Sequence, residues 1–188
     1  SETIVALVDN ASLPKLWPIR DRLPALKHVI GVDGARESGT LSWETLLEQA
    51  WHKFDCLDTP AEEPALLVYT SGTTGPPKGA LKPQRVLIGN LPGFSHSHDI
   101  FPQAGDLFWS PADWAWTGGL MDALLPTLYF GRRIVAWQGR FSPERAFELL
   151  ERHRVTHSFL FPTALKAMMK ALPAPRRLHR IALRAVMS

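Results

Sequence analysis

A single cysteine, Cys56, rules out any internal disulfide, and no apolar run approaches the ~20 residues that cross a bilayer as a helix. The opening decapeptide SETIVALVDN lacks the basic segment, long apolar stretch and small-residue cleavage site of a secretory leader. These absences exclude a disulfide-stapled scaffold and a helical membrane protein, and they lead us to expect a reducing, cytoplasmic setting. No internal repeat is present, which excludes a repeat array. What is present is 45% hydrophobic and 10% aromatic side chains in 188 residues, enough for a substantial globular core.

Charge is unevenly spread. Residues 1–131 hold 9 Lys/Arg against 15 Asp/Glu, whereas residues 132–188 hold 12 against 3. A basic last third can contact phosphates or nucleic acid. Arg145, Arg152, Lys166 and Lys170 fall instead on the expected polar faces of two amphipathic helices, so no nucleic-acid partner is expected.

Short β-branched runs alternate with segments of helical period, the pattern of an α/β chain with a largely parallel sheet flanked by helices. Strands are expected over Thr3–Val8, His28–Val32, Ala65–Thr70, Asp106–Ser110, Arg132–Trp137, Val155–Phe161 and Ile181–Met187. Helices are expected over Ser12–Leu23 with a break at Pro18, from Ser42 through Ala50, from about Pro83, over Gly119–Tyr129 and over Pro162–Leu172. The sharpest helix start is Ser142-Pro143-Glu144: a hydroxyl cap, a proline at the first turn and an acid near the positive dipole end. Ala146, Phe147 and Leu150 then form its apolar stripe. The polar, proline-flanked LDTPAEEP, Leu57–Pro64, suits a connector, dividing a subdomain over 1–58 from another over 59–188.

The informative stretch is LLVYTSGTTGPPKGAL, Leu66–Leu81, where an expected buried strand runs directly into a segment of glycine, hydroxyl residues, proline and one lysine. Gly72, Gly75 and Gly79 allow main-chain N–H groups to approach an anion; Ser71, Thr73 and Thr74 add hydroxyl donors; Lys78 adds a mobile positive charge. Such a loop suits a polyphosphate. It is not the Walker loop, which needs glycine before the lysine and Ser or Thr after it, where this chain has Pro77 and Gly79. The alternative is a flexible surface turn, but hydroxyl side chains at successive non-glycine positions followed by two prolines and a lysine are poorly explained by a turn alone.

The string TSGTTGPPKG, Thr70–Gly79, resembles the phosphate-loop signature of the adenylate-forming (AMP-binding) superfamily. GDLFWSPADWAWTGGL, Gly105–Leu120, resembles the segment beside the acyl and pantetheine channel, notably of acetyl- and medium-chain acyl-CoA synthetases. HRVTHSFLFPTALKAMMK, from His153 to Lys170, resembles a later strand and proline-threonine helix, and LRAVMS resembles the strand leading to an adenine-contacting turn. The resemblance implies a partial N-terminal domain, truncated at its C-terminus, of an ATP-dependent carboxylic acid:CoA ligase using ATP, Mg2+ and CoA, and a 188-residue piece that is inactive alone. It implies that Thr70, Ser71, Gly72, Thr73, Thr74, Gly75, Pro76, Pro77 and Lys78 bind ATP, with Lys78 catalytic, and that Trp116 and Thr117 line the acyl or CoA channel. No residue here matches the family's magnesium-binding glutamate, ribose-binding aspartate, hinge or C-terminal lysine. Lys82-Pro83 also stands where many relatives have histidine, serine or threonine. An adenylating enzyme with a carrier-protein acceptor, or a non-catalytic nucleotide- or nucleic-acid-binding module, is the alternative reading.

Other candidates have plainer explanations. Trp114 and Trp116 could shape an acyl pocket or simply fill core. His96, His98 and Asp99 lack a fourth ligand or zinc spacing and are expected to be solvated loop residues, so no metal site is expected. His157, in the alternating VTHSFLF, is either core or cleft-facing. Ser71 lies in no Gly-x-Ser-x-Gly elbow, which weakens a hydrolase reading.

Overall fold

The computed structural model describes residues 2–70 and 75–188, which fall into two compact units, 1–57 and 58–188. In the first, strands β1 (Val5–Val8), β2 (His28–Gly31) and β3 (Leu41–Ser42) pair in parallel in that order. Helix α1 (Leu13–Leu16) tightens at Pro18 into a 3-10 turn over Trp17–Arg22, because proline has no N–H to continue an α-helical ladder. Val8, Leu13, Val29 and Ala35 form this unit's core. Helix α2 (Trp43–Gln49) starts where the sequence places it, with Ser42 Oγ accepting the Thr45 N–H at 3.3 Å.

Among the described residues the second unit holds two separate sheets. Strand β4 (Pro64–Thr70) pairs antiparallel with β5 (Lys78–Pro83), so the glycine-rich segment joins strand to strand. This corrects two expectations. The helix expected from Pro83 begins later, as α3 (Val86–Ser97), because Pro83 is the last residue of β5. Strand β4, with its continuous apolar run, is largely exposed, since among the described residues no core cluster includes a side chain of the ribbon's faces.

The other sheet is all parallel: β6 (Leu107–Trp109), β7 (Arg133–Val135), β8 (His157–Phe159) and β9 (Ala185–Met187), in the spatial order β7-β6-β8-β9. Alternation along its strands supplies two cores. Phe108, with partly buried Ile134 and Phe159, packs with Phe94, Phe101 and Ala123. Leu107, Trp109, Val135 and Leu160 turn instead toward α6 (Pro143–Arg152) and α7 (Pro162–Ala171), against Phe147, Leu150 and Met168. The Ser142 cap is formed, its Oγ accepting the Arg145 N–H at 3.2 Å, and the expected stripe of Ala146, Phe147 and Leu150 is buried together with Leu149.

Between β6 and β7 the chain is helical in three pieces: α4 (Thr117–Gly119), a wide π turn over Leu120–Leu124, and α5 (Leu125–Tyr129). Pro126, which has no N–H to donate back to Asp122, follows the wide turn. No described helix is long and apolar enough to cross a membrane.

Candidate functional site

The hairpin positions the candidate phosphate loop by backbone pairing. Thr70 and Lys78 are register partners at the ends of β4 and β5, so the two ends of the segment that joins them are fixed. Ser71, Gly72, Thr73 and Thr74 lie outside the described residues. Gly75 has φ 100°, a backbone conformation that a side chain would strain. Pro76 and Pro77 follow, exposed, and return the chain to β5. Lys78 is exposed, and no carboxylate among the described residues pairs with it. Its ammonium is therefore available to an external anion at no cost in broken ion pairs.

A second cluster forms where the chain leaves the carboxyl end of β6. Ser110 Oγ donates to the Phe159 carbonyl at 2.7 Å and accepts the Ala112 N–H at 3.1 Å, tying the end of β6 to the end of β8. Asp113 Oδ1 accepts the Ala115 N–H at 2.9 Å, and the Asp113 carbonyl accepts the Trp116 N–H at 3.0 Å, which makes a tight turn into α4. The turn closes on Gly119, where an added Cβ would lie 2.2 Å from the Asp113 carbonyl oxygen.

Trp116 and Thr117 sit on that turn and both face solvent; Trp116 is 69% exposed and contributes nothing to the core. They do not line the recess beside them, of about 510 Å³, at the carboxyl ends of β6 and β7. Its walls include Ser110, Asp113, Trp114, Trp137, Ser142 and Arg145, with the Arg145 guanidinium 4.7 Å over the Trp137 ring. Clefts at this end of parallel strands are where α/β sheets bind ligands. Trp137 and Arg145 are invisible as partners in the sequence, since a crossover between β7 and α6 brings them together; their type, aromatic and cationic, was the only signal. Asp122, half-buried in the wide turn, is likewise unmarked in sequence, and burial holds its carboxyl above the usual range.

Of the three residues expected in a solvated loop, His96 is exposed but lies in the last turn of α3, Asp99 is exposed and pairs with Arg184 at 3.1 Å, and His98 departs furthest. His98 is fully buried rather than solvated, tilted against Phe94 and edge-on to Phe108, with Nδ1 2.9 Å from the Phe94 carbonyl. The immediate sequence neighbours of His98 are polar, but part of its cover comes from Phe108 and His157 further along the chain. His157 is also fully buried, at the start of β8, and is a core residue; its Nδ1 lies 2.9 Å from Thr156 Oγ1 and 3.7 Å from Asp106. Burial pushes both imidazoles below their ordinary value, partly opposed at His157 by the Asp106 charge. Asp106 in turn accepts from Arg184 at 2.8 Å, which links the start of β6 to the start of β9. This network stands at the amino ends of the strands, away from the turn that carries Trp116.

A family model described as AMP-binding enzyme matches residues 1–188. The chain is 32% identical over 153 residues to the acetyl-coenzyme A synthetase of Bacillus subtilis (strain 168), covering 80% of this chain and 26% of that protein. To the acetyl-coenzyme A synthetase of Escherichia coli (strain K12) it is 31% identical over 153 residues, covering 79% and 23%. The chain thus spans about a quarter of the length of the curated relatives it matches. In fold it superposes on a Brucella canis acyl-CoA synthetase with TM-score 0.83 at 24% identity, over 99% of this chain and 33% of that one. An anthranilate CoA ligase, AuaEII, solved with anthranoyl-AMP, gives TM-score 0.81 at 22% identity over 98% and 36%. A match along the full length of the chain, together with relatives that share nearly a third of the aligned residues, establishes that the chain belongs to the AMP-binding enzyme family.

Proposed function

We propose that the protein carrying this chain is an ATP-dependent carboxylic acid:CoA ligase. The observation that carries the reading is the string Thr70–Gly79, whose ends are anchored by the pairing of Thr70 with Lys78, a lysine that no described carboxylate pairs with. The similarity to acetyl-coenzyme A synthetases supports CoA, rather than a carrier protein, as the acceptor. In this reading residues 59–188 form the subdomain that carries the phosphate loop, residues 1–58 belong to a first subdomain, and the enzyme works in the cytoplasm.

A carboxylate is a poor acyl donor because oxide is a poor leaving group. In the first step a carboxylate oxygen attacks the α-phosphorus of ATP, and the bond to the bridging oxygen breaks. This gives acyl-adenylate and pyrophosphate. In the second, the CoA sulfur attacks the acyl carbon, AMP leaves with the bonding electrons, and the thiol proton passes to solvent.

The protein must bring two anions together, so its contribution is positional and electrostatic. Thr70 to Gly75 offer backbone and hydroxyl donors to the β- and γ-phosphates, Pro76 and Pro77 contribute contact without a donor, and Lys78 offsets charge that builds on the departing pyrophosphate. Trp116 and Thr117, on the solvent-facing turn after β6, contact the acyl or pantetheine chain. Mg2+ accompanies the nucleotide and would neutralise phosphate charge. No group of three His, Cys, Asp or Glu among the described residues fits a metal ion, so no residue of this chain is assigned to it.

The test is carboxylic-acid-dependent exchange of labelled pyrophosphate into ATP, measured with the longest polypeptide that carries this chain, across acetate, medium-chain, long-chain and aromatic acids. Exchange with one class of acid, followed by acyl-CoA formation on adding CoA, is the expected result. Exchange without thioester formation would transfer the reading to a carrier-protein acceptor, and no exchange with any acid would overturn it. The 188-residue chain by itself, about a quarter of its relatives' length, is proposed to be inactive.

A further inference from the structure

The carboxyl end of α6 and the segment leading into β9 meet toward the amino ends of β8 and β9, at the opposite end of the strands from the Asp113 turn. Between them lies an open recess of about 650 Å³ that shares no residue with the glycine-rich loop. Its wall carries Arg152, Arg154, Arg176, Arg180 and His179, with Glu151 as its one carboxylate.

Glu151 is already engaged. Its Oε2 lies 2.8 Å from His179 Nδ1, and its Oε1 accepts the Arg180 backbone N–H at 2.9 Å. These bonds hold its carboxyl below the usual range. Arg176 is committed as well, with Nη1 donating to the Ile181 carbonyl at 3.2 Å and Nη2 to the Leu183 carbonyl at 3.4 Å. The guanidinium groups of Arg152, Arg154 and Arg180 make no hydrogen bond or ion pair with any described residue. Arg154 is carried at the rim by a left-handed backbone turn (φ 52°), its N–H held by the Glu151 carbonyl at 3.1 Å. The turn, and no partner side chain, places it there.

Three guanidinium groups without a hydrogen bond or close ion pair share the wall with a single carboxylate, Glu151, which already engages His179 and feels the Arg180 charge, so positive charge is in excess there and favours an incoming anion. The forked donors of arginine match tetrahedral oxyanions. A concave recess bounded by two short segments accommodates a compact ligand better than an extended strand of nucleic acid, which would follow a long positive stripe. The geometry points to a second anion site, separate from the glycine-rich loop, in which Arg152, Arg154 and Arg180 bind a phosphate-bearing small molecule of the phosphomonoester or pyrophosphate class.

The test titrates inorganic pyrophosphate into the full chain carrying Lys78→Ala, which removes the loop's cation, and follows backbone amide shifts by NMR. Saturable shifts centred on Arg154, Arg180 and Ala182 are expected, with binding weakened about tenfold or more by Arg154→Gln with Arg180→Gln. The exposed Arg152→Glu variant, which leaves both Glu151 bonds in place, should weaken binding in the same direction. Displacement of the chain by pyrophosphate from phosphatidylcholine vesicles containing phosphatidic acid would assign the same chemistry to a lipid headgroup. Unchanged affinity in both sets of variants, shifts centred outside the recess, or retention on single-stranded DNA without saturable pyrophosphate binding would overturn the proposal. The outcome is independent of the ligase reading, because the readout is pyrophosphate binding with the loop cation already removed, and the arginine variants compared in that background touch neither the loop nor the Asp113 turn.

Discussion

Leu67, Tyr69 and Leu81 on the β4–β5 hairpin expose 49%, 51% and 59% of their surface, while Phe108, at the centre of the parallel sheet, exposes none. The hairpin is held chiefly by its own ladder, and its motif residues contribute little to any core. The parallel sheet is covered on both faces, by Phe94, Phe101 and Ala123 on one and by Phe147, Leu150 and Met168 on the other. The contrast suggests a division of labour in which the residues proposed to meet ATP are nearly free of folding duties, whereas those behind the Trp116 turn are not. Substitutions in the two regions should therefore separate activity from stability.

The largest expected effect is on stability. Phe108→Ala removes a fully buried ring that packs edge-on to Phe101 and His98 and beside Phe94, and should cost about 3–5 kcal/mol in chemical denaturation. A loss under 1 kcal/mol, roughly the level of a surface change, would show that the sheet is no better anchored than the hairpin. Lys78→Ala is the converse. Acid-dependent pyrophosphate exchange should fall about a hundredfold or more, as for loss of one electrostatic contact to a transition state. The denaturation midpoint should stay within the range of ordinary surface substitutions, because Lys78 is exposed and unpaired. Exchange at the parental rate would remove Lys78 from the proposed mechanism.

Gly119→Ala tests whether the second region mixes both duties. Its new Cβ would fall 2.2 Å from the Asp113 carbonyl oxygen, so the backbone must move, at a cost of about 1–3 kcal/mol. The same displacement shifts the turn that carries Trp116 and Thr117, so KM for the carboxylic acid should rise more than kcat falls. Equal loss of stability with unchanged kinetics would leave that turn without a substrate role.

The regions also differ in how legibly they are written. Helix α6 is readable from Ser142-Pro143-Glu144 because capping is local: the hydroxyl, the proline and the acid act within one turn, and the helix begins at Pro143 as expected. The parallel α/β character is readable from alternating runs, although β8 covers only His157–Phe159 of the longer stretch Val155–Phe161, since pairing with β6 and β9 decides its ends. β5 is not readable. KGALKP contains glycine, proline and two lysines, and it is a strand only because β4 pairs with it residue by residue. The burial of His98 is hidden for a related reason, since part of its cover comes from aromatic residues downstream. At the candidate site the Thr70–Gly79 string stands out as a local motif, but the recess formed by Trp114, Trp137 and Arg145 depends on a crossover that no single segment encodes.

Ser142 gives the finest version of the comparison, because one hydroxyl serves the fold of α6 and lies on the wall of that recess. Its Oγ accepts the Arg145 N–H, one of the donors that the first helical turn cannot satisfy internally. Ser142→Ala should destabilise the chain by about 1 kcal/mol, and Ser142→Asp, which can still accept that bond, should recover most of it. Arg145, whose side chain reaches Trp137 and pairs with Glu148, would keep both partners in either variant. If the recess takes part in acid or CoA binding, Ser142→Asp should restore stability yet raise KM, because it adds a negative charge where anionic substrates enter. If both stability and KM recover, Ser142 is a cap and nothing more, and the acyl or CoA contacts belong to the exposed Trp116 and Thr117 alone.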